Sequence, residues 1–218
     1  MRIPKQRAWY CCVLSVILAS ACATTHGSGT IKTESRTIAG VNSVSFLGDA
    51  EIEIEQSGTE SLSITADDNI LPLLRSDVRD GELKLGVKNL QDLKPTAKIR
   101  YKLTLKGLTA LSLTGDADAD VRKIATDLLK VSITGDAKIR IDGTADNQEV
   151  SILGDGKYDG ASLTSKTANV SITGDGKLDI AVSDKLEVKI FGDGSIKYIG
   201  DPVVTKTIVG DGKIAKRS

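Results

Sequence analysis

Thiols, imidazoles and aromatic rings are scarce in this 218-residue chain. It holds three Cys, one His, one Met, one Trp and only 3% aromatic residues. Cys11, Cys12 and Cys22 lie in the leading stretch with Met1 and Trp9, so nothing beyond residue 22 carries a thiol. His26 is the sole imidazole. Catalysis by a Cys–His or Ser–His pair has almost no raw material here, and a disulfide framework is excluded on the same count. Neither sign of charge dominates, with 29 basic against 29 acidic side chains. Residues 1–21 contain Arg2, Lys5 and Arg7 but no acid, so the remainder carries a net charge of about −3. That balance excludes a strongly basic nucleic-acid binder. With 40% hydrophobic residues, wholesale disorder is equally unexpected. The length suits one domain or two small ones.

What is present begins with an address. Residues 1–7 form a basic segment, and residues 8–18 form an apolar run too short to span a bilayer. Ala19, Ser20, Ala21 and Cys22 follow. This is the layout of a signal peptide over residues 1–21. Two processing routes fit. The Ala-Ser-Ala spacing suits an ordinary secretory signal. The run from Leu18 to Cys22 also resembles a bacterial lipobox, in which Cys22 is acylated and becomes the new N-terminus. A lone exported thiol at the head of a small, polar stretch reads as an anchor, with residues 22–30 as a flexible tether. Ala23 stands where an Asp would resemble an inner-membrane retention signal. The expected destination is the bacterial outer membrane, with the protein held there through its N-terminal lipid.

The body of the chain is repetitive. Val131-Ser-Ile-Thr-Gly-Asp-Ala137 and Val170-Ser-Ile-Thr-Gly-Asp-Gly176 exemplify a unit whose Gly-Asp step recurs at Gly48, Gly115, Gly135, Gly154, Gly174, Gly192 and Gly210. After the first, the spacing holds at 18–20 residues, the period of a solenoid. A unit this short has no room for a pair of helices, and its apolar residues alternate as in a strand. The alternation continues through the Gly-Asp corner, which places the small residues inward and the Asp outward. The expected fold is all-β: a parallel β-solenoid, right-handed, over residues 108–218, with a β-rich N-terminal cap and first coils over residues 31–107. Within that cap, residues 61–65, 82–87 and 98–105 alternate like strands. Asp80-Gly81 reads as a tight turn, and residues 69–74 can hold a helical turn around Pro72. At the far end, Lys213, Lys216 and Arg217 supply charges that discourage edge-to-edge pairing.

Several residues in this part also carry a resemblance. Asn42-Ser-Val-Ser-Phe46 with Gly48-Asp49, Leu62-Ser-Ile-Thr-Ala-Asp-Asp-Asn-Ile-Leu-Pro72 and Val78-Arg-Asp-Gly-Glu-Leu-Lys-Leu85 precede the Gly-Asp-Gly coils. Together they resemble the putative auto-transporter adhesin head GIN family, the family of unknown function numbered 2807. The resemblance spans residues 31–218 and implies an exported β-helical protein of the bacterial envelope. It brings no catalytic residues with it.

If the parity holds, three outward columns form. They are Ser132/Ser151/Ser171, then Asp136, Asp155, Asp175, Asp193 and Asp211, then Lys138, Lys157 and Lys177. Like charges about 5 Å apart repel by roughly 0.8 kcal/mol in water, and the neighbouring Lys column can offset this. Such an array can hydrogen-bond an extended polymer, a polysaccharide or an envelope protein, or it can simply keep the face soluble. Asp116, Asp118 and Asp120 resemble the opening of a calcium loop, but Val121 occupies the place of its glycine. Weak cation binding there stays open, while no specific metal site or cofactor is expected. A carbohydrate-active β-helix enzyme is the alternative, because paired carboxylates cleave glycosides and Asp is abundant. An active site should break the repeat, whereas these Asp residues follow it, so a non-catalytic binding, adhesion or scaffold module is preferred.

Overall fold

A computed structural model describes residues 24–88 and 92–217. Residues 1–21, expected as a signal peptide, and Cys22 lie outside the described residues. The chain folds as an all-β parallel solenoid of about 5 turns. Its long strands each run through most of a coil: β11 (Asp118–Gly135), β12 (Lys138–Leu153), β13 (Lys157–Thr173) and β14 (Lys177–Phe191). Every neighbouring pair among these is parallel. A coil comprises three straight runs. In β12 they cover residues 138–141, 143–145 and 147–153, with an irregular step near Arg140 and Asp142 and the Gly-Asp corner closing the circuit.

Residues one repeat apart pair in register, so each inward position becomes a column. Val44, Leu111, Val131, Val150, Val170 and Val188 form one. Phe46, Leu113, Ile133, Ile152, Ile172 and Ile190 form the next, and all of these are buried. Full burial of one such aliphatic side chain stabilises by about 1.5–3 kcal/mol. Stacked over successive coils, that gain replaces the large aromatics the composition lacks. One coil departs from the apolar rule. Tyr158 Oη donates to Gln148 Oε1 at 2.7 Å, and Gln148 Nε2 donates to Ser165 Oγ at 2.9 Å. The Ser165 hydroxyl passes the chain on to the Ala181 carbonyl at 2.9 Å. Each buried polar group thus has a partner, which avoids the cost of an orphaned one. Burial pushes the Tyr158 hydroxyl pKa up, so it stays a donor.

The seven-fold repeat begins with a step of 67 residues, and the structure explains it. β3 (Ser43–Gly48) and β4 (Glu51–Gln56) stack directly against β10 (Ala110–Gly115) and β11, with Gly48 opposite Gly115. The intervening chain drops to the other side of that coil. There β7 (Glu82–Val87) pairs parallel with β3, and β9 (Arg100–Leu105) pairs parallel with β4. The chain then crosses back over to begin β10. Antiparallel pieces finish this end: β6 (Leu74–Arg79) on β7, β5 (Ser61–Asp67) on β9, and β2 (Ile31–Arg36) on β5. Asp80 and Gly81, at φ 51° and 81°, make the expected tight turn, and Leu71–Leu73 forms a short 3-10 turn beside Pro72.

Residues 24–30, expected as part of a flexible tether, are instead held against this cap. Thr25–His26 (β1) pairs with Leu93–Lys94 (β8). The fully buried Asp67 carboxylate accepts from Gly29 N at 2.8 Å, Thr96 N at 2.9 Å and Thr96 Oγ1 at 2.6 Å. Asn69 accepts from Ser28 N at 3.0 Å and donates to the His26 carbonyl at 2.8 Å. The Thr96 hydroxyl and these amides hold the Asp67 carboxyl below the ordinary carboxylate value. Asp67 and Asn69, within the 62–72 segment that carries the family resemblance, thus clamp the N-terminal strap.

Candidate functional site

The corner glycines position every outward column. Gly135, Gly154, Gly174 and Gly192 have φ between 101° and 122°, a region most side chains avoid. A Cβ on Gly174 would also stand 2.7 Å from the Gly154 carbonyl oxygen of the adjoining coil. At Gly135, Gly154, Gly174 and Gly192 the first Gly of the corner is thus required by backbone bend and stacking, and it is half-buried rather than pointing into the core as the parity implies. The second glycine is the inward one: at Gly176 a Cβ would meet Ile152 Cγ2 at 2.7 Å. Between them the Asp side chain has only solvent to enter, and Asp136, Asp155, Asp175, Asp193 and Asp211 are all exposed.

Two faces flank this corner. On the first, Ser45, Ser112, Ser132, Ser151 and Ser171 stack in register, ending at Lys189. The small side chains leave a trough of about 570 Å³ running across several coils. One wall is the column Lys130, Glu149, Asn169 and Glu187, in which Lys130 and Glu149 pair at 2.9 Å. Beyond the Ser column, just before the corner, Leu47, Thr114, Thr134, Leu153, Thr173, Phe191 and Val209 form a single in-register stripe. Sequence reasoning did not single out this stripe. Its signal is the residue before each Gly-Asp, which is Thr or a large apolar residue throughout, yet has outward parity.

On the second face, Lys138, Lys157 and Lys177 stack in register, continued by Asp118 on one side and Ser195 on the other. The adjacent outward column reads Asp120, Arg140, Asp159, Asp179 and Lys197. Ion pairs satisfy much of this face. Lys98 meets Asp118 at 2.7 Å, with Lys138 at 3.8 Å, and Arg122 meets Asp120 at 2.5 Å. These partners hold both carboxyls below their ordinary pKa. Asp116 sits apart at the corner, exposed. The three carboxylates do not converge, and among the described residues no three potential metal ligands gather. Nor does any ion pair within 4.0 Å reach Asp136, Asp155, Asp175, Asp193 or Asp211 among the described residues; Lys138 turns to Asp118 instead.

The fold and the corner chemistry together match a known domain. Residues 41–202 fit the family described as putative auto-transporter adhesin, head GIN domain. The chain belongs to this family. The match opens at Val41, just before β3, and closes at Pro202, before the final coil, so it takes in most of the cap and all but the last coil of the ladders. GIN-domain membership indicates an adhesin-like protein, extracellular or associated with the cell envelope. Among solved structures, a putative adhesin from Bacteroides fragilis NCTC 9343 aligns with a TM-score of 0.71 at 22% identity, covering 88% of this chain and 99% of that one. A putative lipid binding protein from Parabacteroides distasonis ATCC 8503 aligns at 0.57 and 24% identity, covering 90% and 100%. A putative adhesin from Parabacteroides merdae ATCC 43184 aligns at 0.54 and 23%, covering 89% and 99%. These likenesses establish the shared GIN fold. No curated protein matches the chain significantly.

Proposed function

We propose that this GIN-domain chain is a non-catalytic binding module of the cell envelope, anchored in the outer membrane by lipid on Cys22 and engaging an extended polymer along its solenoid axis. The observation that carries this is the register: identical outward groups repeat coil after coil, which offers a periodic surface to a periodic or extended ligand. A polysaccharide or an envelope protein segment fits that description. The carboxyl groups favour binding over glycoside chemistry. A general acid needs its pKa raised, and every described carboxyl with a resolved shift is shifted downward by a hydrogen bond or ion pair. The clamped strap supports an orientation too. An anchor at Cys22 would sit beside the cap, leaving the C-terminal coils to project from the membrane.

Two experiments test this reading. Changing Asp155, Asp175 and Asp193 together to Asn keeps the shape of the corner and removes its charge. Pull-down of envelope components should fall several-fold while the melting temperature holds or rises; unchanged capture would remove the corner ladder from the binding surface. For the anchor, Cys22→Ser should move the protein from the membrane to the soluble fraction, since buried acyl chains supply the membrane affinity. Wild-type protein left unlabelled by a fatty-acid analogue would refute the lipid.

A further inference from the structure

Six large apolar side chains are conspicuously exposed among the described residues, and four of them share one column. Leu47 is 51% exposed, Leu153 53%, Phe191 49% and Val209 58%. They belong to the stripe beside the Gly-Asp corner, in which Thr114, Thr134 and Thr173 fill the remaining places. A solvated sheet face has no use for such a row, since threonine already serves at three of its positions. Large exposed apolar side chains gathered in one column, rather than scattered singly, mark an interaction site.

Charge decides what covers it. The stripe is bordered on one side by the corner carboxylates Asp136, Asp155, Asp175, Asp193 and Asp211, none of which has an ion pair among the described residues. Across the Ser trough stand Glu149 and Glu187. The two lysines on this face are already engaged, Lys130 with Glu149 and Lys189 with Glu187 at 3.4 Å. Those ion pairs neutralise the far wall, so the stripe is an apolar rail whose unpaired acidic border runs along the corner, and its complement is an apolar chain with cationic side chains on that flank.

Spacing narrows the choice further. Seven stacked strand positions at about 4.8 Å make the rail about 29 Å long, and Leu153 and Phe191 stand two positions apart, about 9.6 Å. A polyproline II strand has three residues per turn and rises about 3.1 Å per residue, so every third side chain returns to the same edge after about 9.3 Å. Building on the binding-module reading, we infer that the Leu47–Val209 stripe docks an extended basic polypeptide segment with an apolar residue at every third position. The apolar residues would sit against Leu153 and Phe191 while its Lys or Arg side chains meet the corner carboxylates.

The test uses the exported full-length protein and the nine-residue peptide (Lys-Leu-Pro)3, whose prolines prevent it from aggregating as a sheet. Controls are (Glu-Leu-Pro)3 and (Lys-Ser-Pro)3. The variant is Leu153→Thr with Phe191→Thr, which inserts the residue that the same column already carries and so preserves the fold. Expected is saturable binding of (Lys-Leu-Pro)3, weakened by added salt and about tenfold or more by the double variant, with both control peptides binding at least tenfold more weakly. Absence of binding by (Lys-Leu-Pro)3, or binding indifferent to the double variant, overturns the assignment. Capture of an envelope polysaccharide that falls with the corner Asp→Asn changes, together with no peptide binding, overturns this partner while leaving the binding module standing.

Discussion

Gly174 joins two constraints in one residue, because its backbone lies at φ 115° and its α-carbon faces the Gly154 carbonyl. Gly174→Val should therefore cost about 2 kcal/mol or more, from backbone strain and from a methyl group pressed against a stacked peptide. Thr173, the preceding residue, is exposed in the stripe. Thr173→Val should change stability by no more than about 0.5 kcal/mol. Thermal melts of the two variants check this, and equal losses would contradict the corner geometry. The sequence already made the corner legible as a place where only small residues fit. It did not distinguish the two glycines, since parity places both inward. Only the stacked neighbour reveals that the first is held by backbone and the second by the core. Gln148 was equally illegible: its amide is buried because Tyr158 and Ser165, 10 and 17 residues away, bring it partners.

Strands at the end of a solenoid expose unpaired backbone and the last layer of core, and this chain handles its two ends differently. At the N-terminal end, β2, β5, β6 and the 3-10 turn cover the core, burying Ile38, Ile70, Leu71 and Leu74. At the C-terminal end, β16 (Val203–Val209) and β17 (Lys213–Lys216) each pair on one side only among the described strands. Lys206 stands opposite Val188, at the end of the inward Val column, and Lys216 stands opposite Tyr198 in another inward column, where it pairs with Asp201. A charged residue in an inward place prevents a further coil from stacking. Lys206→Val with Lys216→Ile should then yield concentration-dependent oligomers in gel filtration, where the unaltered protein elutes as one species. A variant that elutes unchanged at every concentration would show that the lysines do not guard the edge. The terminal charges were readable in the sequence, and Lys216 was among them. Lys206 was not, because its inward parity follows from pairing with β14. The order of the first coils was hidden for a related reason. The 67-residue gap announces an interruption, but which side of the β3–β4 coil the inserted strands occupy depends on contacts far apart in sequence.

For the molecule as a whole, one property underlies the rest: successive coils stack in register, so a residue's place in the repeat fixes its column. The Ser trough, the corner carboxylates, the apolar rail and the lysines that end the core columns all exist only on that condition. Most of it was legible, because an 18–20-residue period with alternating parity admits few other folds. The wall of Lys130, Glu149, Asn169 and Glu187 was less so, since no single residue type runs through it and only the register unites the four. Disulfide trapping tests the register most directly, in a chain whose Cys11, Cys12 and Cys22 have been changed to Ser. Ser132 and Ser151 pair in adjacent coils, about 4.8 Å apart, within the range a disulfide spans. Ser132 and Ser171 lie two coils apart, about 9.6 Å, beyond that range. Stacked coils predict that Ser132→Cys with Ser151→Cys oxidises readily to an intramolecular disulfide and that Ser132→Cys with Ser171→Cys remains reduced. Failure of the first pair to close, or equal closure of both, would contradict the register and with it every column described above.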